Sequence, residues 1–319
     1  MTDMTANPAD VRHAYRLLLG REPDREGLEN YCKMVAARSI RAADLAQIFI
    51  GSSEYRARTA NRREALEVDF EGYCMYVHPD DLDIGANVSA GRYEPHVTAA
   101  VKELLYPGAT FVDVGANIGY FAALGAHLVG PDGRVVAVEP MDKNLQLIYM
   151  TIWKNRFTQI EVMSCAASSS AQIVPMATTS ASSNGEVLRA DSQRKPSLFA
   201  QTRRLDDLLR DIDRIDLIKL DIEGHELPAW RGFSEGMARC RPLVLTEFHP
   251  KCMRENAGIE PADYLALLFD YGSSIEVLRG PQQRVTCHSP ADVMSEWQAT
   301  DQRLQTNGKA HLDLFIKPD

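Results

Sequence analysis

The stretch Phe111-Val-Asp113-Val-Gly115-Ala-Asn117-Ile-Gly119 determines the fold that this sequence predicts. A β-branched run ends in an acidic residue, a glycine turn then opens a helix, and the next apolar run, Arg134–Glu139, ends in a carboxylate. Gly115 and Gly119 remove side chains where the backbone must pass close to a ligand. Glu139 lies 24 residues after Gly115, where a ribose-binding acid is expected. The order of these features indicates a nucleoside-binding site.

The spacing of the glycines distinguishes between two kinds of nucleoside ligand. A dinucleotide site uses G-x-G-x-x-G, so that a pyrophosphate can lie on the helix N-terminus, but position 117 is Asn. The pattern Asp-x-Gly-x-x-x-Gly resembles instead the first motif of S-adenosylmethionine (SAM) methyltransferases. This resemblance implies that Asp113 and the turn from Gly115 to Gly119 face the methionine part of SAM, and that Glu139 faces the ribose. A nicotinamide-dependent oxidoreductase stays as the alternative.

Apolar runs alternate with helical segments from Thr110 onward, which predicts an α/β fold with a mainly parallel sheet. The predicted strands of this sheet are Thr110–Val114, Arg134–Glu139, Ile160–Met163, Asp216–Asp221 and Leu243–Glu247. A helix is expected over Pro261–Tyr271, followed by late strands at Ile275–Leu278 and Leu312–Ile316. A SAM methyltransferase sheet closes with an antiparallel hairpin there. We therefore predict a doubly wound, Rossmann-like methyltransferase sheet with a C-terminal antiparallel hairpin.

Residues 168–201 interrupt this alternation with a segment rich in Ser, Ala, Thr and Gln. A structureless loop of this length is uncommon inside a compact domain. The segment is therefore either a mobile lid, a substrate-contacting insertion, or a set of short strands that the pattern does not resolve. We favour a role on the substrate side.

Two further clusters of polar residues follow predicted strands of the same sheet. Lys219 and Asp221 are two residues apart on one strand and point to the same face, and Gly224 allows the chain to bend into the next helix. Glu247 and His249 are likewise two apart at the end of the next strand. Because ligands bind at the carboxyl ends of such strands, Asp221, Glu247 and His249 are expected in one crevice.

The complete set of motifs resembles the FkbM family of SAM-dependent methyltransferases over about residues 68–250. The motifs are Asp113-Val-Gly-Ala-Asn-Ile-Gly119, Glu139-Pro140, Asn144, Arg204-Leu-Asp-Asp-Leu208, Lys219-Leu-Asp-Ile-Glu-Gly224 and Glu247-Phe-His249. The resemblance implies methylation of an alcohol oxygen, on a sugar, glycan or polyketide-like acceptor. It further implies that SAM contacts Glu94, Asp113, Gly115, Asn117, Gly119, Tyr120, Glu139, Pro140, Asn144, Ala166 and Asp221.

The chemistry of oxygen methylation indicates what the second and third clusters could do. A hydroxyl is a poor nucleophile because its pKa is near that of water, about 15.7. His249 could remove the proton as the new bond forms, which contributes about 10² to 10⁴-fold. The predicted catalytic residues are therefore His249, Asp221, Lys219 and Glu247. As an alternative, Asp221, Glu247 and His249 could hold Mg²⁺ or Mn²⁺, although their spacing does not demand a metal.

The first 64 residues predict a separate helical module, and residues 65–319 the methyltransferase domain. Val11, Ala14, Tyr15 and Leu18 form one apolar stripe on a helix that follows Asn7-Pro8. Two more short helices follow it. Residues 8–58 resemble a small bacterial helical domain of uncharacterised function, often attached to proteins of cell-envelope pathways. This resemblance implies a role in binding a protein partner or in self-association, with completion of the fold as the alternative.

Composition excludes several other classes of protein. The formal net charge of -9 disfavours a nucleic acid as the main partner, because such binding requires Lys and Arg to replace counterions. No apolar run approaches the roughly 18 residues of a membrane span, and the first residues lack the features of a signal peptide, so a cytoplasmic location is expected. The six cysteines contain no C-x-x-C pair, which argues against a zinc ribbon or a disulfide scaffold. A non-catalytic scaffold stays as a third hypothesis.

Overall fold

The computed structural model describes residues 6–19, 21–38, 40, 42–55, 64–178, 182–189 and 191–319. Three helices open the chain, namely α1 (Pro8–Leu19), α2 (Arg25–Arg38) and α3 (Ala42–Ile50). They share a small core in which Tyr15 and Phe49 meet edge to face, with ring centroids 5.0 Å apart. So small a core gives little stability alone. The boundary predicted after residue 64 stays a prediction, because residues 56–63 lie outside the described ranges.

A short antiparallel hairpin leads into the main body of the protein. It consists of β1 (Leu66–Phe70) and β2 (Tyr73–Val77), and the helices α4 (Ile84–Ser89) and α5 (Pro95–Leu104) follow it. The side chain of Asn155 fixes this hairpin, since its amide accepts a hydrogen bond from Cys74 N (2.9 Å) and donates one to Cys74 O (2.7 Å). These bonds hold β2 against the helix that ends at Asn155.

Eight strands form the central sheet. In chain order they are β3 (Thr110–Val114), β4 (Arg134–Val138), β5 (Ile160–Met163), β10 (Leu217–Leu220), β11 (Leu243–Phe248), β12 (Ile275–Gly280), β13 (Gln283–Cys287) and β14 (Leu312–Ile316). Their order across the sheet is β13-β12-β14-β11-β10-β3-β4-β5. Strands β5, β4, β3, β10 and β11 are mutually parallel, whereas β14 is antiparallel to both β11 and β12. The predicted fold, with its antiparallel C-terminal strands, is therefore confirmed.

Burial explains why the sequence forms this sheet. All of β3 and β10 is buried, and such strands carry near-continuous apolar runs because both faces are covered by helices. The covering helices are α6 (Tyr120–Val129), α7 (Asp142–Asn155), α8 (Leu205–Leu208), α9 (Glu226–Arg231), α10 (Ser234–Cys240), α11 (Pro250–Cys252) with a π-helical turn at Met253–Ala257, α12 (Pro261–Tyr271) and α13 (Pro290–Leu304). The exceptions to the apolar pattern of these two strands are Asp113 in β3 and Lys219 in β10, and both lie towards the carboxyl ends of the strands. Asp221 follows directly after β10.

The segment 168–201 contains strands rather than one long loop. The strands β7 (Ile173–Thr178), β8 (Gly185–Val187) and β9 (Leu198–Arg203) join β6 (Ala166–Ala167) in a sheet of order β6-β9-β7-β8. Helix α1 lies against β9. Of the alternatives raised for this segment, the structure therefore has the short strands, and Asn184 and Gly185, where β8 begins, lie at the carboxyl edge of the central sheet.

Candidate functional site

A cavity of about 290 Å³ lies at the carboxyl edge of the central sheet. Loops that follow β3, β4, β10 and β11 form its floor, and the segment around β7 and β8 covers one side. Most residues that the sequence predicted for the site line this cavity, which brings together both proposed halves of the site. They are Glu94, Gly115, Asn117, Glu139, Pro140, Asn144, Ala166, Asp221, Glu247 and His249.

The glycine turn after β3 is required by close packing of the strand ends. Gly115 has φ +83°, and a β-carbon there would lie 1.9 Å from the carbonyl oxygen of Asp221. Gly119 has φ +87°, and its β-carbon would lie 2.8 Å from Cγ1 of Ile148. The positive φ and the close approach both favour glycine. Both glycines therefore serve the close packing of the strand ends, and Gly115 also lines the cavity.

Glu139 organises the part of the cavity next to this turn. Its Oε2 accepts a hydrogen bond from Asn117 N (3.0 Å), and its Oε1 accepts from Met141 N (2.9 Å) and from Asn144 Nδ2 (3.2 Å). Burial raises the pKa of Glu139 to about 7, although these hydrogen bonds oppose the rise. A carboxylate has about four lone-pair positions, so Glu139 keeps acceptor capacity for ligand hydroxyls. Its place on the cavity wall fits the predicted contact with a ribose.

Lys219 is buried behind the cavity floor among carboxylates. Its Nζ lies 2.7 Å from Asp221 Oδ2, and it stands opposite Asp113 in the register of β10 and β3. Burial alone would lower the pKa of Lys219, but the carboxylates of Asp221, Glu94 and Asp113 outweigh it and raise the pKa above its usual value. Lys219 is therefore a fixed positive charge that holds these acids at the methionine end of the predicted site.

Two of these acids have oxygen atoms without a partner. Glu94 Oε2 and both carboxylate oxygens of Asp113 are buried, and no hydrogen-bond partner lies near them within the described part of the chain. Burial raises the pKa of Glu94 to about 8 and that of Asp113 to about 6, and Lys219 opposes both shifts. An unpaired buried acid in the cavity lining, as at Glu94, is suited to a cationic group. The carboxylates therefore fit the ammonium and sulfonium of SAM.

His249 lies where β11 meets α11, and its ring acts as a helix cap. Nδ1 accepts a hydrogen bond from Cys252 N (3.4 Å), an arrangement that leaves the proton on Nε2. Burial, together with the nearby imidazole of His311, lowers the pKa of His249 to about 4. The ring is therefore neutral near pH 7, and Nε2 can take up a proton only if the tautomer changes.

A second histidine, which sequence reasoning did not identify, reaches the same side of the cavity. His311 lies just before β14, its side chain is half exposed, and its Nδ1 is 3.6 Å from Glu247 Oε1. Glu247 is paired with Asp313 in the register of β11 and β14. Burial and the neighbouring acids, Asp221 first among them, raise the pKa of Glu247 well above its usual value. Asp313 in turn bonds His96 Nε2 at 2.5 Å.

The alternative metal site at Asp221, Glu247 and His249 is not formed. Across the described ranges, no three side chains of His, Cys, Asp or Glu converge in a way that could hold an ion. Each of the three residues is directed elsewhere: Asp221 to Lys219, Glu247 to His311, and His249 to the backbone of Cys252. The sequence placed the three residues at one edge correctly but could not predict these separate partners.

Four predicted site residues lie outside the cavity lining, namely Asp113, Gly119, Tyr120 and Lys219. Tyr120 belongs to an aromatic cluster with Tyr93 and Phe121, and its hydroxyl meets Thr98 Oγ1 at 3.1 Å. Asp113 and Lys219 form the layer of charge directly beneath the floor. The four residues therefore lie behind the cavity wall, and their predicted contact with SAM stays a prediction.

Several lining residues were missed in the sequence. Asp83, Tyr93, Met141, Met176, Asn184, His225, His311 and Asp313 are among them. His225 directly follows the recognised motif Lys219–Gly224, so its position was a usable signal. His311 and Asp313 gave none, because they reach the site only through the antiparallel pairing of β14 with β11.

Of the helices in the described residues, none is long and apolar enough to cross a membrane.

Comparisons of the sequence with known proteins agree with this geometry. The family profile described as the methyltransferase FkbM domain matches residues 113–275, about half of the chain. A second profile, for protein-L-isoaspartate(D-aspartate) O-methyltransferase, matches residues 57–166. The two matches together cover the glycine turn, the ribose-side acid and both polar clusters.

Two curated relatives match a shorter stretch. A protein-L-isoaspartate O-methyltransferase of Methanopyrus kandleri is 40% identical over 80 residues, which cover 24% of this chain and 34% of that protein. A protein of the same name from Triticum aestivum is 36% identical over 70 residues, covering 22% of this chain and 30% of that protein. The chain thus spans about a third of the length of the curated relatives it matches.

Two of the solved structures that the comparison found are named as methyltransferases, and both have low sequence identity to this chain. An O-methyltransferase from Bacillus cereus, solved in complex with SAH, is 14% identical with a TM-score of 0.39, and the match covers 73% of this chain and 86% of that one. An rRNA methylase from Streptococcus thermophilus is 10% identical with a TM-score of 0.38, covering 70% of this chain and 94% of that one.

Proposed function

The chain belongs to the FkbM methyltransferase family, and on that premise we propose that it transfers the methyl group of SAM to a hydroxyl oxygen of a sugar, glycan or polyketide-like acceptor. The observation that carries the cofactor part of the proposal is the buried, unpartnered carboxylate oxygen of Glu94, a residue of the cavity lining, with Asp221 beside it in the same lining. Such acids favour a cationic ligand. A nicotinamide cofactor, which brings a pyrophosphate, would meet like charge there.

The cavity residues divide into groups that would hold different parts of the cofactor. Glu94 and Asp221, supported by Asp113 and Lys219, would bind the methionine ammonium, and Glu139 would bind the ribose hydroxyls. Pro140, Met141 and Ala166 line the part of the cavity beyond Glu139, where the base would lie. Bound SAM supplies a methyl group on a positively charged sulfur. The protein's part is to bind, to orient the acceptor and to remove its proton.

The charge of the cavity favours a hydroxyl acceptor over a carboxylate. Asp221, Glu247 and Asp313 lie on the acceptor side, and Lys219 is buried beneath them rather than exposed to the cavity. A carboxylate acceptor would approach the acids Asp221 and Asp313 as like charges, whereas hydroxyl groups donate hydrogen bonds to carboxylate oxygens. The curated relatives are named for isoaspartate, so a carboxylate of a protein substrate is the competing acceptor. Exclusion of nucleic acid as an acceptor stays a prediction from net charge.

Proton removal is assigned to the imidazoles at the end of β11 and the start of β14. His249 is in the cavity, but its Nδ1 is occupied by Cys252 N, so its action as a base requires the other tautomer. His311 Nδ1 lies 3.6 Å from Glu247 Oε1, which is longer than a hydrogen bond, so this contact leaves either ring nitrogen able to accept a proton. Either base would take the hydroxyl proton as the new bond to carbon forms, since a hydroxyl cannot ionise beforehand.

The test is a transfer assay with radiolabelled SAM and a panel of acceptors. Neutral glycans and hydroxylated polyketide analogues form one arm, and an isoaspartyl peptide and a structured RNA form two others. The Gly115→Ala variant serves as the control without a cofactor site. Transfer to hydroxylated acceptors alone supports the proposal. Label appearing only in the peptide, as a base-labile ester, or only in RNA would overturn the assignment of the acceptor.

A further inference from the structure

A second cavity, of about 260 Å³, lies beside the first. It is bounded by the connection after β2, by the first turns of α7, and by Ser182 and Ser183 before β8. We call residues 182–184 the strap, because Ser182 and Ser183 line the second cavity while Asn184 lines the first. The residues that line the second cavity are His78, Asp80, Asp81, Lys143, Asn144, Leu147, Ser182 and Ser183.

The strap is a built wall between the two cavities. Four side chains of the main body bond to it: Lys143 Nζ donates to Ser182 O (2.9 Å), Asn144 Nδ2 to Ser183 O (3.0 Å), Asn117 Nδ2 to Asn184 Oδ1 (2.8 Å), and Asp83 Oδ2 accepts from Ser182 Oγ (3.2 Å). These contacts fix the strap against the wall of the cofactor cavity. Specific hydrogen bonds therefore hold the wall that the strap forms on one side of the second cavity.

Three polar side chains that line the second cavity have an atom without a partner. Asp81 Oδ2, Asn144 Oδ1 and Ser183 Oγ accept and donate no hydrogen bond within the described residues. The three residues are 6%, 1% and 4% exposed. Buried polar atoms are normally paired, so three orphans in one cavity indicate a missing ligand or ordered water. A single water needs only about 10–15 Å³ of such a cavity, so this one is large enough for more than isolated waters.

The chemistry of the lining identifies the class of ligand. Asp81 and Asn144 present acceptor atoms, and Ser183 presents a hydroxyl that can donate or accept. A ligand must therefore bring several donors. The ammonium of Lys143 offsets part of the negative charge of Asp80 and Asp81, which line the same cavity, and Leu147 offers an apolar surface for a ring face. We propose that the second cavity binds a neutral, hydroxyl-rich ring, that is, a sugar residue.

This site is connected to the cofactor cavity through Asn144. Asn144 lines both cavities, its Nδ2 donates to Glu139 Oε1, and its Oδ1 has no partner within the described residues. A sugar that occupies the second cavity would therefore steady the same side chain that orients Glu139. The sugar could be a remote part of the acceptor or a separate molecule. The proposal goes beyond the methyl transfer, and it can be tested without SAM.

The test is ligand-observed saturation-transfer NMR on the full chain with glucose, galactose, mannose and rhamnose, with glucosamine as the cationic arm. We expect saturation transfer to at least one neutral sugar, and affinity about tenfold weaker in Asp81→Asn and in Ser183→Ala, since each removes one hydrogen bond to the ligand. Asp132→Asn, at an exposed turn, is the matched control and should bind as the wild type does. SAM affinity should stay unchanged in Ser183→Ala.

Three outcomes would overturn the proposal. They are no saturation transfer to any neutral sugar, transfer that is equal in the wild type and both cavity variants, and binding of glucosamine alone. Because this readout needs neither SAM nor an acceptor, its failure is distinct from a failure of methyl transfer. If a neutral sugar binds, competition with the acceptor in the transfer assay then separates its two sources. A competitive sugar marks the cavity as part of the acceptor site, and a non-competitive one as a separate site.

Discussion

The β-carbon that position 115 lacks would stand 1.9 Å from the carbonyl oxygen of Asp221. This contact joins the ends of β3 and β10, and so it places the glycine turn beside the acid that follows the neighbouring strand. The cofactor floor and the acceptor side of the cavity therefore depend on one close approach of two backbones.

We expect Gly115→Ala to abolish SAM binding and to lower stability strongly, because the clash is with backbone and cannot be relieved by a rotamer change. Gly108→Ala is a matched control, since Gly108 also has φ +83° but has no atom within 4 Å of the added carbon. It should cost only the roughly 1–2 kcal/mol of a left-handed L-residue. Urea unfolding and calorimetry compare the two. Equal behaviour of the variants would contradict the packing argument.

Replacement of Glu139 by Gln tests the ribose contact. The amide keeps an acceptor for the backbone but loses the charge, and charged hydrogen bonds contribute about 1.5–3 kcal/mol. We expect SAM affinity to fall about tenfold to a hundredfold. The melting temperature should also fall, because the amide NH2 leaves one of the two backbone N–H donors, Asn117 N or Met141 N, without its acceptor. Glu161→Gln, on the exposed edge of β5, is the control and should bind SAM normally. A Glu139→Gln protein with wild-type affinity would remove Glu139 from the site.

Proton exchange on SAM binding follows from the raised carboxyl pKa values. Burial raises the pKa of Glu94 to about 8, of Glu139 to about 7 and of Asp113 to about 6, so Glu94 and Glu139 still bind protons at pH 7, whereas Asp113 does so near pH 6. A cationic ligand favours the ionised forms. SAM binding should therefore release protons and should strengthen as pH rises from 6 to 8. Calorimetry at pH 7 in phosphate and in Tris measures the release, and proton uptake would contradict the charge assignment.

The same shifts predict how the stability of the free protein depends on pH. Groups whose folded pKa is raised stabilise the fold at low pH, and this contribution is lost as pH rises through the folded value. His225 and His249, whose pKa values burial lowers to about 4, contribute a constant amount above pH 6.5. From pH 6.5 to 8.5 the melting temperature should therefore fall, and saturating SAM should reduce the fall. A melting temperature that rises over this range would be inconsistent with the buried acids.

Loss of the Lys219 charge should destabilise the protein. Lys219→Met leaves Asp113 and Asp221 buried without their cation, and such a loss costs about 3–5 kcal/mol. Lys154→Met removes an ion pair with Glu67 on the surface, which contributes about 0–1 kcal/mol. Urea unfolding separates the two. Comparable small losses in both variants would mean that the buried acids are already neutral without Lys219.

The two imidazoles can be separated by kinetics once an acceptor is known. We expect His311→Gln to lower kcat by about 10² to 10⁴-fold, as loss of a general base would. His249→Gln should keep part of the activity, because Nδ1 of His249 is engaged as a helix cap and the ring can act as a base only in the other tautomer. His288→Gln, at an exposed position, is the control. Full activity of His311→Gln would return the base role to His249.

The sequence predicted the parallel part of the sheet closely because each strand is a short apolar run that ends in a polar residue. Helix Pro261–Tyr271 and strand Leu312–Ile316 have the predicted bounds. The predicted strands ending at Glu139 and Asp221 stop one residue earlier, at Val138 and Leu220, so both acids lie in the loops that bound the cavity.

Other parts of the site could not be read from local pattern. His311 and Asp313 reach the cavity only through the pairing of β14 with β11, which is set by packing over more than 60 residues of chain. The partners of Asp221, Glu247 and His249 depend on side-chain direction, and for this reason a metal site that looked feasible in the sequence does not form. The strap contacts likewise join residues that are far apart in the chain, such as Asn117 and Asn184.

Calorimetric titration of the full chain with SAM, with NADH titrated in parallel, tests the central claim most directly. The account predicts saturable SAM binding in the micromolar range, lost in Gly115→Ala and kept in Gly108→Ala, with no binding of NADH. Binding of NADH without binding of SAM would contradict it.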